Sequence, residues 1–286
     1  MRIITSCEEG EVEMHVAIAD STGVFLEEYS VTGSDDDNIK HCWIPAVEGQ
    51  TFEILWFGCG PDSYSKSDIR ATPYLNGAEV NCGILSADEW AQGNWGWLDG
   101  HQVSANTARP FHFGRLELTD DDELAIGSCP KDPYTIRVTL EWGWSRPQKL
   151  GCGSGGHTFE CPEITSVLSK QEALAGNYTS VLLGEPISSD IVSETHNFRC
   201  KRSLPATEFV FQYGPADWLQ ANGININVPS NSNTNEGAID VGEIKLESEP
   251  TEYVQEPDSE LEPGELFMSR HIHVWLAIKS TKNRRV

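Results

Sequence analysis

An all-β sandwich is the fold this sequence predicts over roughly its first 226 residues, and three observations predict it. Apolar and polar residues alternate with a period of two in several separate runs. Those runs are filled by β-branched and aromatic side chains, and Gly, Pro, Asn and Asp interrupt them at short intervals. Jelly-roll and immunoglobulin-like arrangements both fit this spacing. Residues 1–226 are read as the sandwich domain, 227–265 as a linker and 266–286 as a C-terminal strand with a basic tail.

Taken in order, residues 11–31 open with Val12, Met14, Val16 and Ile18 on one face, and Gly23 turns the chain into Val24-Phe25-Leu26 as a strand pair. Ser34-Asp35-Asp36-Asp37-Asn38 is a polar loop. Cys42-Trp43-Ile44-Pro45 makes a turn into a long strand from Gln50 to Phe57. Asn76-Gly77 is the residue pair of a tight hairpin turn, joining Ala71-Thr72-Pro73-Tyr74-Leu75 to Ala78-Glu79-Val80. Trp90 to Trp97 is a loop with three tryptophans and two glycines. Arg109 to Leu118 is the next strand. Tyr134 to Trp142 follows, with Tyr134, Ile136, Val138, Leu140 and Trp142 inward and Thr135, Arg137, Thr139 and Glu141 outward. Glu163 to Ala175 has Ile164, Val167, Leu168 and Leu174 at helical spacing, which leaves a short helix and an irregular insertion open. Asn177 to Glu185 forms a further strand segment.

The last element organises the rest. In Phe209-Val210-Phe211-Gln212-Tyr213 every residue but Gln212 is β-branched or aromatic, as suits a strand buried on at least one side. Gly214-Pro215 stops it, and Asp217 to Asn222 supplies one or two helical turns that place Trp218 and Leu219 inward and end at Gly223.

This ending, Leu219-Gln220-Ala221-Asn222-Gly223-Ile224 after an aromatic strand and a proline, resembles that of an uncharacterised domain family of mushroom-forming (basidiomycete) fungi. Cys42-Trp43-Ile44-Pro45 with Glu48-Gly49, Tyr74-Leu75-Asn76-Gly77, Arg109-Pro110-Phe111 with Leu118-Thr119-Asp120-Asp121-Asp122, and Val181-Leu182-Leu183-Gly184-Glu185 extend the likeness over roughly residues 10–226. The family is a domain of unknown function, so the resemblance implies no catalytic residue. Two positions depart from its pattern. Gly214 stands where a long side chain such as Arg is expected, and Trp218 where Leu or Val is usual.

Composition narrows the partners. A formal charge of −24, from 44 acidic and 20 basic residues, argues against nucleic acid and against an anionic membrane, since both repel it. No apolar run of signal-peptide length opens the chain, and no window reaches membrane-span length. The expectation is an intracellular protein, cytoplasmic or nuclear, with its eight cysteines reduced. Asn177-Tyr178-Thr179 then fits the glycosylation pattern by coincidence. The Asn/Ser tract 227–235 and the nine acidic residues, one lysine and three prolines of 242–265 have the composition of a disordered linker.

Several constellations invite chemistry. Cys152, His157 and Cys161, with His196 and Cys200 further on, offer thiolate and imidazole at four- and five-residue steps, and zinc is the metal such a set takes. The competing reading is a Gly-rich loop with unpaired thiols, because the two-residue Cys step of most zinc sites is missing. His271 and His273 flank one residue of a strand-like run as paired jelly-roll metal ligands do, but no carboxylate follows within the strand. His101 and His112 lie in the middle of the domain. Asp35 to Asp37 and Asp120 to Glu123 lack the alternate-residue ladder of a calcium loop and read as solvated strand ends. No Gly-x-Ser-x-Gly elbow is present, and Gly151-Cys152-Gly153 with Gly156 is a broken dinucleotide fingerprint.

Nine tryptophans mark contact surfaces as well as cores. Trp90, Trp95 and Trp97, with His101 nearby, are the candidate ligand contacts; equally, the three rings can plug one end of the sandwich. Ile244-Lys245-Leu246-Glu247 spells the aliphatic-Lys-x-acidic acceptor of the small ubiquitin-like modifier, with Lys245 the modified residue, and Lys282, Arg284 and Arg285 form a weak nuclear address. The function expected is a non-enzymatic intracellular binding or interaction module with a protein partner and no cofactor. A cytoplasmic lectin-like carbohydrate binder using the Trp loop, and a metal-dependent enzyme using the His/Cys set, are the alternatives. Oligomeric state is open.

Overall fold

The computed structural model describes residues 1–104, 106–115, 117–119, 132–147, 162, 164, 167–169, 177–188 and 196–226. In chain order the strands are β1 (Arg2–Cys7), β2 (Gly10–Asp20), β3 (Tyr29–Thr32), β4 (Ile39–Pro45), β5 (Phe52–Cys59), β6 (Asp68–Leu75), β7 (Ala78–Glu79), β8 (Gly83–Leu85) and β9 (Gly96–Leu98). They continue as β10 (Gly100–Ser104), β11 (Thr107–Arg115), β12 (Glu117–Thr119), β13 (Thr135–Pro147), β14 (Val167–Ser169), β15 (Thr179–Leu183), β16 (Ile187–Ser188), β17 (His196–Cys200) and β18 (Thr207–Gly214). Among the described residues the α-helices are short: α1 (Ala87–Ala91) and α2 (Ala216–Ala221).

The fold is a mostly-β sandwich and not a barrel. One sheet has the order β1-β2-β5-β9, and the other is eight-stranded with the path β3-β4-β18-β13-β6-β7, β17 on β13 and β8 on β6. A smaller sheet, β10-β11-β15 with β16 on β11, contributes to the same core, and β12 pairs with β14 in parallel. Residues Met1–Ile226 form one compact unit.

Period-two patterning decides which side of each strand is inside. Val12, Met14, Val16 and Ile18 of β2 and Phe52, Ile54 and Trp56 of β5 meet Ile136, Val138, Leu140 and Trp142 of β13 and Phe209, Phe211 and Tyr213 of β18 in one hydrophobic cluster. Phe111, Phe113 and Val181 of the small sheet complete it, with Phe113 stacked 4.7 Å from Phe52. β18 lies at the centre of the large sheet, antiparallel to β13 and parallel to β4. Both its neighbours are strands, which explains why its sequence is apolar almost throughout.

The Asn76-Gly77 hairpin forms as the sequence predicts, with φ of +49° and +81° at the two turn residues and Leu75 opposite Ala78. Pro73 falls between the stretches of β6 that pair with β8 and β7, where a missing N–H interrupts least. Asn76 has a second task. Its Oδ1 accepts from the Tyr213 hydroxyl at 2.6 Å and its Nδ2 donates to Ser180 Oγ at 3.1 Å. The Val181 amide donates to the same hydroxyl at 3.0 Å, so a buried polar knot joins the large and small sheets. Asn177 belongs to this junction: its Nδ2 donates to Tyr213 O and its Oδ1 accepts from the Thr179 amide. At 0% exposure its amide is closed to a glycosylating enzyme in the folded domain.

Other elements differ from expectation. Cys42-Trp43-Ile44-Pro45, read as a turn, is the end of β4, paired with β18. After Gly23 the chain returns along β2 only as a short bridge, Asp20 N to Val24 O (2.9 Å) and Leu26 N to Ile18 O (2.8 Å), whereas β2 spends its length pairing with β1 and β5. The helical spacing read over residues 163–175 gives way at Val167–Ser169 to a strand in register with Glu117–Thr119. A short apolar run satisfies both periods, and strand pairing decided it there. Residues 227–265 and 266–286, with Lys245, His271 and His273, lie outside the described residues, as do the acidic run 120–123 and the Gly-rich loop 151–156.

Candidate functional site

The three tryptophans of the 90–97 loop do not share one environment, because a helix, a glycine turn and a strand succeed one another in the twelve residues Ala87 to Leu98. Ser86 starts α1 with a capping box: its Oγ accepts from the Glu89 amide (3.4 Å) and the Glu89 carboxylate accepts from the Ser86 amide (2.9 Å). The helix so fixed aims Trp90 inward. Its Nε1 donates to Ser67 O at 2.8 Å and its ring meets Trp142 edge-on, centroids 5.5 Å apart. Trp90 is therefore a core residue rather than a ligand contact. Gly93, at φ +78°, ends the helix and swings the chain back to the sheet.

Gly96 then sits directly on the Trp56 indole, where a Cβ would lie 2.2 Å from Trp56 Cε2; Gly83 makes a similar approach from β8, 2.3 Å from Cη2. With Gly96 pointing to the core, alternation throws Trp95 and Trp97 to the outside of the first sheet. Trp95 stacks on Phe57 (5.5 Å, 25°), leans on Phe25 (6.1 Å) and presents its ring to the edge of His15 (6.2 Å, 60°). Trp97 stands opposite Leu55 and is 37% exposed. Phe25, at 36%, reaches the same face through the bridge to Ala19, whereas Val24 lies opposite Asp20 on the other side of the strand. The result is a second apolar layer on the outer surface of the sandwich: Leu55 and Phe57 underneath, Trp95 over Phe57, and Phe25 and Trp97 open to solvent.

The rim of this layer is polar and ordered. His15 Nε2 lies 2.5 Å from Glu13 Oε1, and Arg2 donates to Glu13 Oε2 at 2.8 Å. Burial pushes the His15 imidazole below its ordinary value and outweighs the pull of Glu13 in the other direction. A neutral ring, a carboxylate and a guanidinium thus follow one another along the edge of an aromatic surface.

His101 is elsewhere. It is buried on β10, and its Nδ1 accepts from the Asn81 amide at 3.2 Å while Asn81 Oδ1 accepts from the Gln102 amide, so the ring holds the turn after β7. His112, on the neighbouring β11, is partly buried, and burial lowers its pKa as well.

Of the Cys/His set, Cys152, His157 and Cys161 lie outside the described residues. His196 and Cys200 occupy the two ends of β17, and four steps of extended chain separate their Cα atoms by about 13 Å, too far for those two to share one tetrahedral ion. Cys200 Sγ instead donates to Glu141 Oε1 at 3.0 Å. Burial and the Glu141 carboxylate push its thiol up, away from the thiolate a metal or an electrophile requires. Among the described residues no three His, Cys, Asp or Glu side chains form a group able to hold a metal. Asp35, first of the acidic run in the 34–38 loop, is paired with Lys40 at 2.9 Å.

No family model, curated protein or solved structure matches this chain. Its site is accordingly read from its own side chains. The sequence signal for Trp95 and Trp97 was their i, i+2 spacing around a glycine. For Trp90 it was Ser86-x-x-Glu89, which announces a helix where the glycines suggested a loop. Glu13, His15 and Arg2 carried no signal of their own, because β1 reads as an ordinary terminus and only its register, Arg2 opposite His15, gathers them.

Among the described residues no helix is long and apolar enough to cross a membrane.

Proposed function

We propose that this chain is a non-enzymatic binding module of the intracellular kind its sequence suggests, with the outer face of the β1-β2-β5-β9 sheet as its contact surface. The observation that carries the reading is the layered arrangement there: open Phe25 and Trp97 backed by a fixed Trp95–Phe57 stack and rimmed by Arg2, Glu13 and His15. Rigid aromatic anchors beside ordered polar groups are the composition of interface hot spots. The reactive side chains, by contrast, are committed to structural bonds, His101 to Asn81 and Cys200 to Glu141.

A protein partner is the reading of choice, and the His15 ring and Glu13 side chain beside an indole favour a glycan as the second, since sugars stack on such rings and bond to such rims. Photo-crosslinking from position 97 in native cells, paired with a glycan array, tests both. A partner or glycan whose binding drops about tenfold or more on Trp97→Ala, with the melting temperature unchanged, is the expected result. Undiminished binding by Trp97→Ala and by Phe25→Ser would remove this face from the function.

A further inference from the structure

A second surface, at the far end of the large sheet, has the opposite character. β13 is thirteen residues long, and beyond Gly143 it pairs only with β17: Trp144 opposite Arg199 and Arg146 opposite Asn197. Along β13 the side that carries Trp142 at 2% exposure also carries Trp144, at 44%, and Arg146. The inward-facing pattern therefore continues past the end of the core, and its side chains emerge into solvent. On this ribbon Trp144, Arg146, Asn197 and Arg199 share one face and are all exposed.

The other face of the ribbon is pinned. Arg70 lies 4.6 Å over the Phe198 ring, Cys200 is bonded to Glu141, and the Ser145 amide donates to Asp68 Oδ2 at 2.7 Å. The open face is consequently presented by a fixed support. Arg2, Lys40, Arg70, Arg137 and Lys201 each have a carboxylate, and Arg109 is bonded to the carbonyls of Leu183 and Gly184. Among the described residues Arg146 and Arg199 have no acidic partner, in a protein whose net charge is −24.

We propose that the Trp144–Arg146–Arg199 face of the β13–β17 ribbon is a docking site for an extended acidic peptide segment of another protein. One guanidinium two residues from the indole along β13 and another across from it on β17 match carboxylates close to an apolar side chain, the guanidinium being suited to paired contacts and the indole to the apolar residue. Strand spacing fits as well. Alternate residues of an extended peptide lie about 7 Å apart, as do Trp144 and Arg146 along β13. Among the described residues β17 pairs only with β13, and its other edge is where a strand would join. Charge complementarity over so small an area suits a few carboxylates rather than a long polyphosphate, which the surrounding acidic surface repels beyond a Debye length of about 8 Å. The site is separate from the aromatic face of the first sheet and does not depend on it.

The test is fluorescence anisotropy of a fluorescein-labelled peptide of repeating Glu-Ser-Leu-Ser, whose alternate residues place acidic and apolar side chains in turn on one face, titrated with the full chain. Saturable binding is expected, weakened about tenfold or more by the double substitution Arg146→Glu/Arg199→Glu and several-fold by Trp144→Ala, and reduced by added salt. Hydrogen exchange gives a reading that needs no variant: the peptide should slow exchange at Asn197, Phe198 and Arg199. Three results would overturn the proposal: no anisotropy change at millimolar protein, equal binding of a Lys–Leu peptide, or protection confined to other strands. A labelled oligothymidylate that binds more tightly than the peptide would assign the face to single-stranded nucleic acid instead.

Discussion

The two outward faces of the sandwich are built from opposite materials. On the first sheet, outward positions of β5 and the residues beside them are Leu55, Phe57, Trp95 and Trp97, with indole laid upon phenyl. On the large sheet, outward positions of β6 and β13 are occupied by pairs of charge and ring: Arg70 with Glu141, and Arg137 over the Tyr74 ring at 4.2 Å and within 3.9 Å of Glu208. Each cross-strand pair on the large sheet satisfies itself and needs only water beyond it. On the first sheet the charge pairing stops at the Arg2–Glu13–His15 rim, and the Phe25 and Trp97 rings beyond it are open to solvent. Two sheets of the same core can therefore be told apart by asking which outer face has already found its partners.

Substitutions can break or sharpen that contrast, and Gly96→Ala should have the largest effect. Its Cβ would press on Trp56 from 2.2 Å, so β9 must move and carry Trp95 and Trp97 with it. A loss of about 3 kcal/mol in urea unfolding is expected, at the upper end for overpacking. Trp95→Ala follows, at about 2 kcal/mol, less than a fully buried tryptophan costs because its ring is only half covered. An increase in dye binding should accompany it, from the uncovered Phe57. On the large sheet Glu141→Gln should cost about 1 kcal/mol or less, as part-exposed ion pairs do. Its clearer signature is chemical: without the carboxylate that holds its thiol up, Cys200 should alkylate faster at pH 8.

Acid should distinguish the faces in sequence. His15 has a folded pKa below its unfolded value near 6.5, because burial disfavours the imidazolium. The unfolded chain therefore binds its proton first, and the stability His15 contributes, full above that value, declines as the pH falls through it. For Glu141 burial acts to raise the pKa, but the Cys200 thiol and Arg70 hold it lower on balance, so its contribution is lost only in the acid range below the ordinary carboxylate value. NMR titration of the two side chains should show the first sheet respond before the second; a shared midpoint would erase the distinction. Trp97→Ala is the smallest in stability, within about 0.5 kcal/mol, as for a surface site, and it matters only for binding.

Much of this was legible in the sequence wherever one local rule dominated. Alternation placed β2 and β13 with the correct sides inward, the Asn-Gly pair placed the hairpin, and the aromatic run placed β18 and the helical turn after it. What escaped depended on partners distant in the chain. β1 is a strand because β2 lies beside it, and Val167–Ser169 is one because Glu117–Thr119 does. The candidate surface was half visible. Trp95 and Trp97 stood out by type and spacing, whereas Trp90 and His101 share that composition and were drawn inward by the Ser67 carbonyl and the Asn81 amide. Likewise the polar knot at Tyr213 joins residues 76, 180 and 213, and no window of sequence contains all three.

Gly214 and Trp218 are coupled in space. α2 folds Trp218 back so that its ring lies where a side chain on Gly214 would begin: a Cβ there would meet Trp218 Cε3 at 2.9 Å. The outer flank of the same indole rests on Trp43, 5.7 Å away, on the neighbouring strand β4. A side chain at 214 would have to displace the Trp218 ring, so the two positions are not independent. In an ancestor or a descendant of this chain, a residue with a long side chain at 214 demands a smaller neighbour at 218, and the route between the two states passes through a crowded or a hollow intermediate. Lineages should hold one pairing or the other and seldom the mixtures.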